Sequence, residues 1–269
     1  MNNNGEKLKY KICILKGDGI GKEVIPETIR LLKELPIVFE FVEEYIGYEH
    51  YQKTGQYLPQ KTIDTMKECH AGLFGAVTTP TDIPNYRSPI AEIRKELDLY
   101  ANVRPAKSIP SNISRKDIDL VIIRENTEGL YVKDEQAFNE GTDDEYVISK
   151  RKISKKGSER IIRYAFEFAK RHNRKNVTLL HKSNVIRMGD SLFRTTGERI
   201  SKEYPEINYN QLLADAATMH LVKDPENFDV IVATNLIGDL LSDGAAGLIG
   251  GMGLAPSGNI GKKYALFIG

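Results

Sequence analysis

Short apolar runs alternate along the chain with longer amphipathic stretches. Residues 11–15 (K-I-C-I-L) read as a buried strand, and the glycine turn G-D-G-I-G follows at 17–21. Ile25, Ile29 and Leu32 then share one helical face, with Pro26 tolerated because the first helical turn needs fewer backbone donors. Further strands are expected at 37–41, 72–76, 120–123, 177–180 and 229–232, with helical patterns between several of them. That alternation specifies an α/β protein. Between Tyr131 and Ser154 the pattern turns polar and charged around a short strand-like segment at 146–148, which predicts a projecting hairpin or arm. The next helix carries Ile162, Ala165, Phe166 and Ala169 on one stripe, so the Lys and Arg residues between Lys150 and Arg163 are expected mainly to face outward.

A chain of 269 residues suffices for one large domain or two modest ones with a substantial core. With 38 Lys plus Arg against 37 Asp plus Glu, no electrostatic footprint for nucleic acid or an acidic membrane emerges, and small-molecule chemistry becomes the better expectation. The two cysteines, Cys13 and Cys69, are far apart in sequence and lack metal-type pairing, which fits a reducing cytoplasm. No apolar run approaches the ~20 residues of a membrane span.

N-L-I-G-D-L-L-S-D-G-A-A, from Asn235 to Ala246, reads as a buried helix, yet it contains Asp239 and Asp243. Positions four apart on a helix differ in direction by roughly 40°, so both carboxylates leave one face. Neighbouring carboxylates repel unless protonated or neutralised, and an oxygen-only pair with no nearby Cys or His suits Mg²⁺ or Mn²⁺. The plainer reading is a first helical turn with one aspartate exposed. Asp215, among small apolar residues, could complete the set. Arg94, Arg104 and Arg124 are expected near strand ends, where guanidinium forks match the carboxylates of a di- or tricarboxylic acid; taken singly, each could be an ordinary surface ion-pairing arginine. Lys182 follows a buried-strand pattern directly, the position from which α/β sites are built, and a partly desolvated lysine near a metal can act as a base; taken singly, it reads as an exposed lysine. Tyr131 could donate a proton or simply pack, and His181 is expected to be structural. G-D-G-I-G lacks the G-x-G-x-x-G spacing of a Rossmann loop.

In order along the chain, G-D-G-I-G-K-E-V, L-D-L-Y-A-N-V-R-P-A-K, R-E-N-T-E-G-L-Y, H-K-S-N-V, N-L-I-G-D-L-L-S-D and G-L-A-P-S-G-N-I-G strongly resemble the metal-dependent β-decarboxylating dehydrogenases that act on isocitrate, homoisocitrate and 3-isopropylmalate. The resemblance covers nearly the whole chain. It implies a two-domain isopropylmalate-dehydrogenase-like α/β fold with a non-Rossmann cofactor site. The large domain would comprise residues 1–98 and 251–269, and the small domain 99–250 would carry a dimer-clasp arm at about 131–154. The implied reaction is oxidation of a 2-hydroxy acid by NAD, or NADP, with loss of the 3-carboxylate. Arg94, Arg104 and Arg124 match the family's substrate clamps, Tyr131 and Lys182 its acid–base pair, Asp215, Asp239 and Asp243 its ligands for Mg²⁺ or Mn²⁺, and Thr78 and Asn184 positions near the cofactor. Asp215 would also face the substrate, and Lys182 and Asp215 would be lent to the partner's site in a homodimer, with neither nucleic acid nor membrane as partner.

Family members continue beyond A-L-F with an H-G-S-A-P-D-type loop that grips the cofactor's adenosine, whereas this chain runs A-L-F-I-G, so a C-terminally truncated large domain is expected. Substrate choice rests on Y-R-S-P-I-A-E-I-R: Ser88 would touch substrate, Arg87 hints at an extra carboxylate and hence homoisocitrate or isocitrate, and Ile90 could pack against an isopropyl group. The alternatives are a 3-isopropylmalate dehydrogenase of leucine biosynthesis, and a non-catalytic subunit that binds acid and metal without turnover.

Overall fold

In the computed structural model, which describes residues 9–80, 82–83 and 86–268, K-I-C-I-L forms the centre of strand β1, Lys9–Gly17. Cys13, Ile14 and Leu15 are buried because parallel strands flank β1 on both sides. The chain divides into two units, Met1–Leu99 with Gly258–Gly269, and Tyr100–Ser257.

In the first unit, β1 leads through the glycine turn into helix α1 (Gly21–Lys33), followed by β2 (Val38–Glu44), α2 (Tyr48–Thr54), α3 (Gln60–Glu68), β3 (Ala71–Ala76) and α4 (Pro89–Glu96). The chain returns at its end as β12 (Ala265–Ile268). The strand order is β2-β1-β3-β12, all parallel, with the residues of β11 (Ser257–Ile260) beside β12. On α1, Ile25 is buried while Ile29 and Leu32 are half-buried, as their shared stripe requires. Gly17 ends β1 at φ +70, and a Cβ there would lie 1.9 Å from the Ala76 carbonyl oxygen, so no side chain fits between these strands. Cys13, Leu15, Ile63, Met66, Phe74, Ile93 and Leu266 form the core beneath.

The second unit contains β4 (Ala101–Lys107), β5 (Asp119–Glu125), β6 (Gly129–Phe138), β7 (Tyr146–Lys152), α5 (Lys155–Arg171), β8 (Asn176–His181), α6 (Arg187–Ser201), β9 (Asn208–Leu213), α7 (Ala214–Lys223), β10 (Val230–Ala233) and α8 (Asn235–Leu248). Its strand order is β4-β5-β10-β8-β9, in which β4 runs antiparallel to β5 and the other neighbours are parallel. The four parallel strands therefore end on one edge, and each hands the chain directly to a candidate segment: Asn126 after β5, Thr234 after β10, Lys182 after β8 and Ala214 after β9. Strands β6 and β7 form a separate antiparallel ribbon, with Phe138 and Tyr146 stacked at its far end, 4.9 Å between ring centroids. Leu120, Ile122, Leu180, Ile231, Ala233, Leu241 and Ala245 make this unit's core, burying one face of α8 against the sheet.

Two expectations change. Arg124 is one residue from the end of β5, as expected, but Arg104 lies in the middle of β4 and Arg94 in a helix, because register with the neighbouring strand, and not the charge of the side chain, decides where a strand stops. Arg151 and Arg160 turn inward from the basic stretch, since each meets a buried carboxylate, Asp190 and Glu125 respectively. Among the described residues no helix is long and apolar enough to cross a membrane.

Candidate active site

Helix α8 supports the densest cluster. It starts directly after β10, with Thr234 at its N-cap, and buries Gly238, Leu241, Ser242 and Ala245. The opposite stripe carries Asp239 and Asp243, one helical turn apart, as the spacing predicts. Each meets an arginine: Arg124 donates through Nη1 to Asp239, and Arg104 donates through Nη2 to Asp243 at 2.6 Å. Tyr131, at the root of the ribbon, donates its hydroxyl to the second Asp239 oxygen, and the Arg124 guanidinium lies 5.1 Å from the centre of the Tyr131 ring.

Arg124 is only 3% exposed, and burial works against its charge while Asp239 works in favour of it. A buried guanidinium needs acceptors for every fork, and Asn235 supplies one: its Oδ1 accepts from Arg124 Nε at 2.9 Å while its Nδ2 donates to the Glu128 carbonyl at 3.0 Å. The close approach of α8 to β5 depends on Gly238, where a Cβ would lie 2.8 Å from Arg124 Cβ and 3.2 Å from its Cα. Arg104 Nε is buried with no hydrogen-bond partner among the described residues.

A second pair stands at the ends of β8 and β9. Lys182 Nζ lies 2.7 Å from Asp215 Oδ1, and this hydrogen bond holds the Asp215 carboxyl below its ordinary value. The Lys182 backbone is fixed from both sides: its N–H donates to Asp190 at 2.6 Å, and its carbonyl accepts from Val185 at 3.0 Å and Ile186 at 2.8 Å. Asn184 is exposed in that turn. His181 is buried and its Nδ1 faces Ser183, a structural placement, and burial lowers its affinity for a proton. Within this single chain, Asp215 does not join Asp239 and Asp243; among the described residues no three His, Cys, Asp or Glu side chains gather so as to hold a metal.

The remaining candidates belong to the first unit. Arg94 lies in the last turn of α4 and donates through Nε to the wholly buried Asn259 at 2.9 Å. Ser88 is the N-cap of the same helix. The Thr78 backbone N–H donates to Asp18 at 2.9 Å, and the same carboxylate accepts from the N–H groups of Tyr48 at 2.8 Å and Glu49 at 2.9 Å. One aspartate of the G-D-G-I-G turn thus fixes the loop bearing Thr78 and the start of α2 together. Gly47 leaves room for it at φ +105, where a Cβ would come within 2.6 Å of the carboxylate. Asp18, Asn235 and Asp190 escaped the sequence reading; only their position inside otherwise apolar or glycine-rich stretches could have pointed to them.

A parallel α/β scaffold whose strand edge gathers guanidinium groups, a lysine and paired carboxylates defines a class of protein suited to small anionic molecules. Residues 11–268 match the family model described as isocitrate/isopropylmalate dehydrogenase. The chain is 48% identical over 261 residues to an isocitrate/homoisocitrate dehydrogenase of Thermus thermophilus, covering 97% of this chain and 77% of that protein. It is 46% identical over 259 residues to a 3-isopropylmalate dehydrogenase of Archaeoglobus fulgidus, covering 96% and 76%. The crystal structure of isocitrate dehydrogenase from Methylococcus capsulatus superposes with a TM-score of 0.90 at 42% identity, covering 96% of this chain and 76% of that one. The chain belongs to the isocitrate/isopropylmalate dehydrogenase family and is by family an oxidoreductase.

Proposed function

We propose that this chain oxidises and decarboxylates a 3-carboxy-2-hydroxy acid with NAD, or NADP, and Mg²⁺ or Mn²⁺, preferring homoisocitrate or isocitrate. The observation that carries this reading is the pairing of Arg104, Arg124 and Tyr131 with Asp243 and Asp239 on one face of α8. An all-oxygen donor set with neither thiolate nor imidazole suits a hard divalent ion, and Asp239 and Asp243 would hold it together with Asp215 from a second copy of the chain. When bound, the ion supplies Lewis-acid stabilisation of charge on the substrate oxygens, and the nicotinamide supplies a hydride acceptor.

The protein's own groups account for the rest. Arg94, Arg104 and Arg124 hold the substrate carboxylates. Lys182 takes the hydroxyl proton, and after the carboxylate leaves as carbon dioxide, Tyr131 returns a proton at carbon. Thr78 and Asn184 would help hold the cofactor. The ribbon favours a homodimer: Leu130, Val132, Val147 and Ile148 are exposed on it, and a lone two-stranded ribbon is only marginally stable in water.

Arg87 and Ile90 favour the tricarboxylic substrates. Arg87 is largely exposed and lies 3.9 Å from Glu92, a contact loose enough to leave its charge available to an acid. Ile90 already packs against the first unit's core, which leaves less of it for an isopropyl group. The test is production of reduced cofactor from isocitrate, homoisocitrate and 3-isopropylmalate with each metal and cofactor, compared as kcat/KM. Highest kcat/KM on a tricarboxylate supports the reading, and highest kcat/KM on isopropylmalate overturns the preference. A folded dimer that binds acid and metal but reduces neither cofactor makes the chain a non-catalytic subunit.

A further inference from the structure

Among the described residues, an ion pair whose carboxylate is wholly buried lies outside the cluster above. Asp190, in the first turn of α6, is 0% exposed, and its two oxygens take different partners: Oδ1 accepts from Arg151 Nη1 at 2.5 Å, and Oδ2 from the backbone N–H of Lys182 at 2.6 Å. Arg151 belongs to β7, near the base of the ribbon, and its other arm donates through Nη2 to Thr234 Oγ1 at 2.9 Å. Thr234 is the N-cap of α8, the helix that carries Asp239 and Asp243. Two side chains therefore tie together four segments distant in sequence: the ribbon, the turn of Lys182, the start of α6 and the start of α8. A buried ion pair contributes little net stability, because desolvation offsets its attraction, but once formed it fixes geometry firmly.

We infer that Arg151 and Asp190 are positioning residues for the acid–base machinery, setting the Lys182 turn and the N-terminus of α8 against each other and making the ribbon's base part of that geometry. The inference rests on the role proposed for Lys182. Neither residue reaches a reacting atom: Asp190 acts through the Lys182 backbone, and Arg151 through Asp190 and Thr234. A planar guanidinium bonds two acceptors in fixed directions, which an ammonium cannot reproduce. A displacement at the root of the ribbon consequently moves the lysine and the start of α8 together.

The test combines a readout independent of turnover with one that requires it, on the full-length protein. Amide hydrogen exchange is measured across Lys182 and the first turn of α8 in the wild type, Asp190→Asn, Arg151→Lys, Arg151→Gln, the Asp190→Asn/Arg151→Gln double variant and Thr234→Val. Exchange at the Lys182 amide is expected to rise about tenfold in Asp190→Asn and Arg151→Gln, with the double variant no faster than either, because both disrupt one contact. Thr234→Val is expected to loosen the first turn of α8 and leave the Lys182 amide unchanged. In turnover, kcat is expected to fall by about 10- to 100-fold with KM within a few-fold, and Arg151→Lys to recover part of the loss. Unchanged exchange at Lys182 in the folded Arg151 variants overturns the inference, and so does a fall in kcat matched by the fraction of unfolded protein. Should Asp190→Asn not fold, the Arg151 and Thr234 variants decide the matter. A wild type without turnover whose Lys182 amide still responds removes the catalytic reading while sustaining the coupling.

Discussion

Gly238 and Gly244 lie in the same helix and respond to different surroundings, so alanine at each separates helix propensity from packing. A helical glycine replaced by alanine at an open position gains about 0.5–1 kcal/mol. Gly244 is such a position: it is exposed, and a Cβ there meets only Leu221 Cδ2, at an ordinary 3.7 Å. At Gly238 the same methyl would stand 2.8 and 2.9 Å from Arg124 Cβ and Cγ and 3.2 Å from its Cα. These atoms are the stem of a buried side chain and the backbone of a central strand, so α8 has to retreat. Overpacking of this kind costs about 1–3 kcal/mol, which exceeds the propensity gain. Gly238→Ala is therefore expected to lose about 0.5–2 kcal/mol in urea unfolding while Gly244→Ala gains a few tenths to 1 kcal/mol. Retreat of the helix also draws Asp239 from Arg124, so the Gly238 variant should bind substrate acid more weakly. Equal stabilisation by both substitutions, at unchanged m-value, would refute the reasoning.

Two further outcomes follow from buried groups. Burial, and then the nearby Arg194, hold His181 below its ordinary 6.5, so the unfolded chain binds its proton first as pH falls. This group's contribution to stability is full above about pH 6.5 and declines through the window beneath it; an NMR titration of the folded protein placing the His181 midpoint at or above 6.5 would contradict the placement. Burial, and then Cys69, push the Cys13 thiol up to about 12, so at pH 8 an aromatic disulfide reagent is expected to label Cys13 only as fast as the core opens, and labelling of the native protein at free-thiol speed would show a core less closed than described.

Where hydrophobic periodicity speaks, much of the fold was legible. The stripe of Ile162, Ala165, Phe166 and Ala169 is the buried face of α5, and the polar stretch after Tyr131 is the ribbon. Strand β4 was not legible, since A-N-V-R-P-A-K mixes two cations and a proline, and only its seven-residue antiparallel register with β5 makes it a strand. In the cluster on α8, spacing alone brought Asp239 and Asp243 to one face. The groups that position others were hidden for one physical reason: they bond backbone or side chains remote in sequence. Arg94 meets Asn259 across 165 positions, Arg124 meets Asn235 across 111, and Arg151 meets Asp190 across 39. No local pattern encodes such pairings.

The four parallel strands of the second unit deliver their chains to one edge, whereas Ile90 and Arg94 ride on a helix of the other unit with Ser88 at its N-cap. Under the proposed function, the parts concerned with bond-making and the parts concerned with which molecule is admitted thus fall on separate pieces of the chain. Pro89 and Ile93 anchor that helix from its buried side, so its outward positions can be exchanged while the anchoring stays intact. On that reading, substitutions on the helix would change the acid admitted without rebuilding the machinery that transforms it.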